Sequence, residues 1–339
     1  MNMKKLFAVI TLLVALALIL TACNGNNNPS SNGDNNPGSY GNSNPGSNED
    51  NNPGSNGNNN PSSDGENQSS TLDNTANFDT SKNISILTRE DGSGTKTAFM
   101  ELIGLKDKAD PANVIIQTGT AGILTEVMGN PMAIAYESLG YVTNDVKMLK
   151  VDGVDATVAN IKDGTYKISR PLSIVYKATT LDSDVNKAFY TFLQSSDAQE
   201  IISDEGYVSI ADNAPAYTIN GSLQGSIDIS GSTSLQPLMT ELAAAFEKLQ
   251  NNVTVTVGGG GSGTGYKNAD EGVSEFGMIS EEFNIEKAPS CTDYVVCKDG
   301  IAVIVHKDNP LDNITMEQLK NIYDAEAESS AITKWNDLI

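Results

Sequence analysis

Past about residue 80 the chain alternates between short apolar blocks and segments whose apolar residues recur every three or four positions. The first kind, bounded by Gly, Asp and Asn, reads as strand and the second as helix. The blocks predict strands at Ile84–Thr88, Val114–Gln117, Ala133–Tyr136, Lys147–Val151, Ser173–Tyr176, Ser226–Ile229, Val253–Val257, Phe276–Ile279, Tyr294–Cys297 and Ile301–Val305. Helices are expected over Thr95–Ile103, Ala121–Met128, Val185–Leu193, Ala198–Asp204, Gln236–Leu249, Tyr266–Glu271 and Met316–Tyr323. Within Gln236–Leu249, the residues Leu238, Leu242, Ala245, Phe246 and Leu249 make one apolar stripe, the mark of a core-packed face. Strands and helices in alternation give an α/β chain. A polar junction, "ADNAPAYTINGSLQG", separates Ile210 from Ser226 and reads as a surface linker.

The first residues follow a different pattern. Lys4 and Lys5 precede an apolar run from Leu6 to Leu20, the form of a secretory signal peptide; as an uncleaved span the run is near the lower length limit. "LTAC" (Leu20 to Cys23) resembles the lipobox of bacterial lipoproteins, in which cleavage precedes the Cys and its thiol receives a diacylglycerol. Residues 1–23 are therefore expected to be leader and lipobox, with Cys23 lipidated and two acyl chains sufficient for a stable anchor. Residues 24–80 are dominated by Asn, Gly, Ser and Pro, with "NNPGS" at Asn35 and Asn51, and hold too little apolar surface to offset ordering entropy. They are expected to form a disordered tether with an r.m.s. span of about 40 Å.

Charge narrows the chemistry. The formal charge is −22 and the one histidine is His306, so nucleic acid is not an expected partner and a His-rich metal or catalytic site is excluded. An acidic chain can still hold an anion through backbone dipoles and single cations. Cys291 and Cys297, spaced C-x5-C, are compatible with a small disulfide outside the cytoplasm, and no second ligand cluster accompanies them for a metal site. No cofactor is implied.

Three turns at helix starts carry the candidate chemistry. They are "SGSTS" (Ser230 to Ser234), "GGGGSGTG" (Gly258 to Gly265) and "REDGSGT" (Arg89 to Thr95). Each ends a predicted strand and opens a helix, offering free N–H groups at the positive end of the helix dipole with hydroxyls beside them. Any one of them alone would be an ordinary helix cap. None continues into the Lys-Ser or Lys-Thr of a phosphate loop. Arg89 adds a guanidinium able to grip an oxyanion with two bonds, and Asp91 is placed either to hold it or to form a surface ion pair. A fourth turn, "TGTAG" (Thr118 to Gly122), also opens a helix. Ser93, Ser232 and Ser262 have no evident base, which argues against a Ser-His-Asp enzyme.

"ISGSTSLQPLMTELAAAFEK", "GGGGSGTGYKNADEGVSEFGMIS", "KDGIAVIVHKDNPLDNITMEQLKNIY", "KWNDL", "ISILTREDGSGTKTAFMELIG", "AIAYESLGYV" and "DGTYKISRPLSIVYK" together resemble the phosphate-binding lipoproteins of bacterial phosphate ABC transporters, in their Gram-positive form. The resemblance implies a type II periplasmic-binding fold, in which two α/β lobes on a two-strand hinge close on inorganic phosphate. Such a protein is not an enzyme. It would be lipid-anchored to the outer face of the cell membrane and would deliver phosphate to an ABC permease. A permease-independent sensor or scavenger, and a surface phosphatase, are the competing readings.

In that family the "GSTS" half comes first, whereas here 81–225 carries the later half and 226–339 the earlier one, as in a circular permutation. The reordered fold predicts one lobe from 147–210 with 226–305 and the other from 81–142 with 309–339, hinged near 140–147 and 305–310. The halves are expected to pair within one chain, which holds one complete set of parts, with a swap between chains as the alternative. The family's phosphate ligands map onto Ser232, Thr233 and Ser234; onto Ser262, Gly263 and Thr264; onto Arg89, Asp91, Ser93, Gly94 and Thr95; and onto Ser280. Where the family pattern approximates "GMSSRE", this chain has "GMISEE", so Ile279 replaces a Ser and Glu281 an Arg. Glu281 is expected to face solvent, with a role as acceptor for the proton that distinguishes phosphate from sulfate as the alternative.

Overall fold

A computed structural model describes residues 78–219, 221 and 223–339. The signal peptide, the lipidation site Cys23 and nearly all of the 24–80 tether lie outside the described residues. In chain order the elements are β1 (Ser85–Arg89), α1 (Gly94–Leu102), β2 (Ile115–Gln117), α2 (Gly119–Gly129), β3 (Ala133–Ser138), β4 (Val146–Met148), β5 (Lys150–Val151), α3 (Val158–Lys162), β6 (Ser169–Lys177), α4 (Asp184–Leu193) and α5 (Ser196–Asp204). They continue with β7 (Gly225–Gly231), α6 (Gln236–Leu249), β8 (Val253–Gly260), α7 (Ser262–Glu271), β9 (Phe276–Ile279), β10 (Cys291–His306), β11 (Asn313–Ile314) and α8 (Met316–Tyr323).

One mixed sheet runs β2-β1-β3-β10-β6-β9-β7-β8, with β4 also on β10. At one end β1 pairs in parallel with β2 and β3; at the other β7 pairs in parallel with β8 and β9. Each end is thus a βαβαβ unit whose first strand sits in the middle. Between them β10 and β6 run antiparallel to each other and to the flanking strands.

Two hydrophobic cores divide this sheet. The first gathers Leu87, Phe99, Ile134, Tyr136, Val303, Ile304, Tyr323 and Trp335, all nearly inaccessible. In it Phe99 stacks on Tyr136 with ring centroids 3.9 Å apart. The second gathers Ile174, Phe189, Phe192, Ile229, Leu238, Met239, Phe246 and Phe276. It takes in most of the expected apolar stripe: Leu238, Leu242 and Phe246 are buried, with Ala245 and Leu249 packed at its margin. Within the one chain, residues of 81–225 and of 226–339 contribute to both cores.

The division differs from the sequence expectation. Leu149, Val151, Ala156, Ile161, Tyr166 and Ile168 pack in the first core, as do Ile301–Val305. The chain changes core between Ile168 and Leu172 on β6 and between Cys297 and Ile301 on β10, not near 140–147 and 305–310. Two predicted strands are in fact one: β10 continues unbroken through "KDG", where Lys298, Asp299 and Gly300 pair with Pro171, Arg170 and Ser169. The polar break is a cross-strand ion pair, Arg170 Nη2 to Asp299 Oδ2 at 3.2 Å. Conversely, the block Lys147–Val151 divides, because β4 joins β10 while β5 joins β11.

Cys291 and Cys297 are free. They lie on the same strand, and six residues of extended chain span roughly 20 Å, far beyond disulfide reach. A register shift between Val295 and Cys297 sends Cys297 into the second core, while Cys291 packs beside Tyr266 and Ile279 in a small third cluster.

Candidate functional site

In an open α/β sheet a ligand sits beyond the carboxyl ends of the strands, where successive connections leave the first strand in opposite directions. Each parallel unit here has such a point, flanked by the ends of β1 and β3 in one and of β7 and β9 in the other. The turns expected to carry chemistry occupy these ends.

Arg89 ends β1 and is 1% exposed. Its Nε and Nη2 donate to Glu90 Oε2 and Oε1, both at 2.9 Å, and Nη2 also donates to Thr233 Oγ1 at 3.1 Å. Glu90 is fixed in turn by the Gly119 N–H, 3.2 Å from Oε2. Burial works against ionisation at Glu90, yet the bonds from Arg89 hold its carboxyl below the ordinary range. On the other side Arg89 Nη1 stands 3.7 Å from Glu137 Oε2 at the end of β3.

The hydroxyl turns close on this arginine from the second core. Thr233 Oγ1 lies 3.1 Å from Thr120 Oγ1, and Ser234 Oγ lies 2.8 Å from Thr95 Oγ1. Ser262 Oγ meets Ser280 Oγ at 3.2 Å and accepts from the Ser280 N–H at 3.0 Å. Ser232 Oγ accepts from the N–H groups of Ser234 and Leu235, capping the turn into α6, where Pro237 occupies a position that needs no donor. Ser93 is the N-cap of α1, its hydroxyl accepting from Lys96 N–H, which leaves the first amides of the helix, at Gly94 and Thr95, ahead of any intrahelical acceptor. Gly94 has to be glycine: a Cβ there would collide with Ser262 Oγ and lie 2.8 Å from Ser280 Oγ.

Ser232, Thr233, Ser234, Ser262, Ser280, Arg89, Ser93, Gly94 and Thr95 therefore come to one place. Two other expected positions, Asp91 and Thr264, do not. Asp91 is exposed and pairs with Lys96 at 2.9 Å; the carboxylate that holds Arg89 is Glu90, one residue nearer along the turn. Thr264 Oγ1 donates to Gly260 O at 2.7 Å within its own turn, whereas the Gly263 N–H donates to Gly92 O at 2.9 Å and so ties the second turn to the one that carries Ser93, its amide already engaged. Glu281 does not face solvent: it is 3% exposed, and its Oε1 accepts from Lys287 Nζ at 2.7 Å.

Sequence reading also missed participants. Thr120 and Gly119 come from the fourth turn, whose composition did signal a helix start. Arg170 donates through Nη1 to Ser280 O at 2.9 Å and pairs with the buried Asp299, whose carboxyl is pushed up by burial against the pull of Arg170. Glu137 is fully buried, and burial raises its carboxyl to about 7 although Arg89 opposes the shift.

Against known proteins, the PBP superfamily domain matches residues 65–197 and 217–339. "Phosphate-binding protein PstS 2" of Streptococcus agalactiae is 37% identical over 264 residues, covering 75% of this chain and 87% of that protein. The chain belongs to the PstS family of the PBP superfamily. A crystal structure of a phosphate-binding protein of a phosphate ABC transporter from Streptococcus pneumoniae matches with a TM-score of 0.61 at 33% identity, over 76% of this chain and all of that one. "Phosphate-binding protein PstS" of Bacillus subtilis, a further family member, is 30% identical over 140 residues, 41% of this chain and 45% of that protein. The S. agalactiae match is longer than either 81–225 or 226–339 and so runs through both halves in their order here; the B. subtilis match is about the length of one half. Among the described residues no helix is long and apolar enough to cross a membrane.

Proposed function

We propose that this chain captures inorganic phosphate between its two cores and hands it to an ABC permease, held at the outer face of the membrane by a diacylglyceryl group on Cys23. One observation carries the reading: Arg89 and Thr95 of the first core meet the hydroxyls of Thr233 and Ser234 of the second at 3.1 and 2.8 Å. A tetrahedral oxyanion needs donors on all sides, and this cradle supplies a guanidinium, hydroxyls and helix-start amides from both cores. The ligands we assign are Arg89, Ser93, Gly94, Thr95, Ser232, Thr233, Ser234, Ser262 and Ser280. Binding without catalysis is the reading we adopt, because the similar proteins are named as phosphate-binding proteins, one of them of a phosphate ABC transporter.

We further propose that the chain is a circular permutation of the B. subtilis arrangement and shares its order of halves with the streptococcal proteins. The half-length match to the former and the through-running match to the latter support this. Isothermal titration with phosphate and with sulfate tests the function. Phosphate is expected to bind and sulfate to bind more weakly; tighter sulfate binding, or binding of neither, would sink it.

A further inference from the structure

Arg89 and Glu137 end neighbouring parallel strands and make only half of an ion pair. Arg89 Nη1 and Glu137 Oε2 face each other at 3.7 Å, both buried and both without a hydrogen bond. The other carboxyl oxygen of Glu137 accepts from the Ser138 N–H at 2.7 Å. An unfinished pair of this kind is expensive to keep in a protein interior. It sits where the sheet topology puts a ligand, at the ends of β1 and β3, and it uses the same arginine that reaches Thr233.

The local charge count points the same way. Arg89 and Arg170 are paired with Glu90, Glu137 and Asp299, so two cations face three carboxylates before any anion arrives. A phosphate dianion would add to a shell that is already negative, in a region of weak screening. Neutralising one carboxylate relieves this, and the one lacking a full set of bonds is Glu137.

Resting on the phosphate reading above, we infer that Glu137 is a specificity-determining residue that takes up one proton from solvent as the anion binds. Its carboxylate becomes a carboxylic acid, no other bond changes, and Arg89 Nη1 is released to the anion. An anion is then selected together with a proton. Because burial already holds this carboxyl at about 7, uptake occurs near neutral pH. The charged and titratable groups facing Glu137 are Arg89 from β1, Arg170 from β6, Asp299 from β10 and Tyr141 from the turn after β3. Lys96 and Glu101 of α1 and Glu126 of α2 are engaged elsewhere, by Asp110, Lys106 and Gln117 respectively.

The test compares phosphate affinity of the full chain and of Glu137→Gln by calorimetry at about pH 5.5 and about pH 8.5. Phosphate's own ionisation acts equally on both proteins, so the ratio of their affinities isolates residue 137. The ratio is expected to change by about tenfold or more between the two pH values, the wild type losing affinity at the higher one. A ratio unchanged with pH overturns the proposal while leaving phosphate binding intact. Binding of phosphate by neither protein at either pH overturns the phosphate reading and this inference with it. Glu137→Met is the second neutral variant, read by the same ratio, should Glu137→Gln not fold.

Discussion

Gly94→Ala isolates closure of the cradle from the stability of its parts. Gly94 opens α1 with φ outside the left-handed region, so alanine fits its backbone and stabilises slightly, by about 0.4–1 kcal/mol. The added methyl carbon, however, would collide with Ser262 Oγ and stand 2.8 Å from Ser280 Oγ and 2.9 Å from Ser262 Cβ. Gly94 belongs to the unit of the first core and both serines to that of the second, so the clash exists only when the two are together. Overpacking of this size costs about 1–3 kcal/mol, which corresponds to a fivefold to roughly 150-fold loss of phosphate affinity. Calorimetry reads this directly, and thermal unfolding provides the control. At free phosphate a hundred times the wild-type Kd, ligand stabilises the wild type by about 2.7 kcal/mol, but a variant weakened a hundredfold by only about 0.4 kcal/mol. Without phosphate the variant should melt within a few degrees of the wild type. Wild-type affinity in Gly94→Ala would refute the placement of α1 against Ser262 and Ser280. A large loss of stability without ligand would refute the claim that the contact belongs to closure.

Glu90→Gln leaves Arg89 without its paired carboxylate and should weaken phosphate binding by about 1–3 kcal/mol, while Asp91→Asn on the exposed side should change it little; equal effects from the two would reverse the assignment. Glu137 should also mark stability, read by denaturant titration across pH. The folded carboxyl titrates at about 7 against 4.5 for the free group. The native state therefore binds more protons between those values, and its stability is full below about pH 4.5 and falls as pH rises to about 7. Glu137→Gln removes that slope, so its stability relative to wild type should increase by about 3 kcal/mol from pH 4.5 to pH 8; a constant difference would refute the raised titration. Reductant should leave the melting temperature unchanged, since Cys291 and Cys297 are free; a drop would reveal a bond between them.

Local chemistry was what the sequence displayed well. Arg89, Ser93, Thr95 and Ser232–Ser234 were recognisable because glycine and hydroxyl residues at a strand end announce a helix start wherever the strand lies. Partners set by register were not visible. In "REDGSGT" both acids follow the arginine, and only the course of the turn decides that Glu90 faces inward and Asp91 outward. Glu137 falls just past the predicted strand Ala133–Tyr136 and carried no signal of its own, whereas β3 runs on to Ser138 between β1 and β10 and the residue is completely buried. The "KDG" interruption looked like a loop because Arg170, the partner that makes Asp299 acceptable inside a sheet, lies far away in sequence. The expected division into lobes is shifted for that same reason: a strand divided at 298–300 cannot be seen to serve both cores.

Because β10 is unbroken, the passage between the cores is a narrow ribbon. Among the described residues, β6 and β10 carry the paired strands across it, with one further rung between Val208 and Lys298. Gly300 lies in that ribbon, and a side chain there would strike Ile161 of α3. The ribbon's stiffness would then depend on packing such as that of Ile161 against Gly300, at residues to which no ligand contact is assigned. Changing its bulk would alter how often the cradle opens, and so how quickly cargo is exchanged, without altering a single donor that holds it.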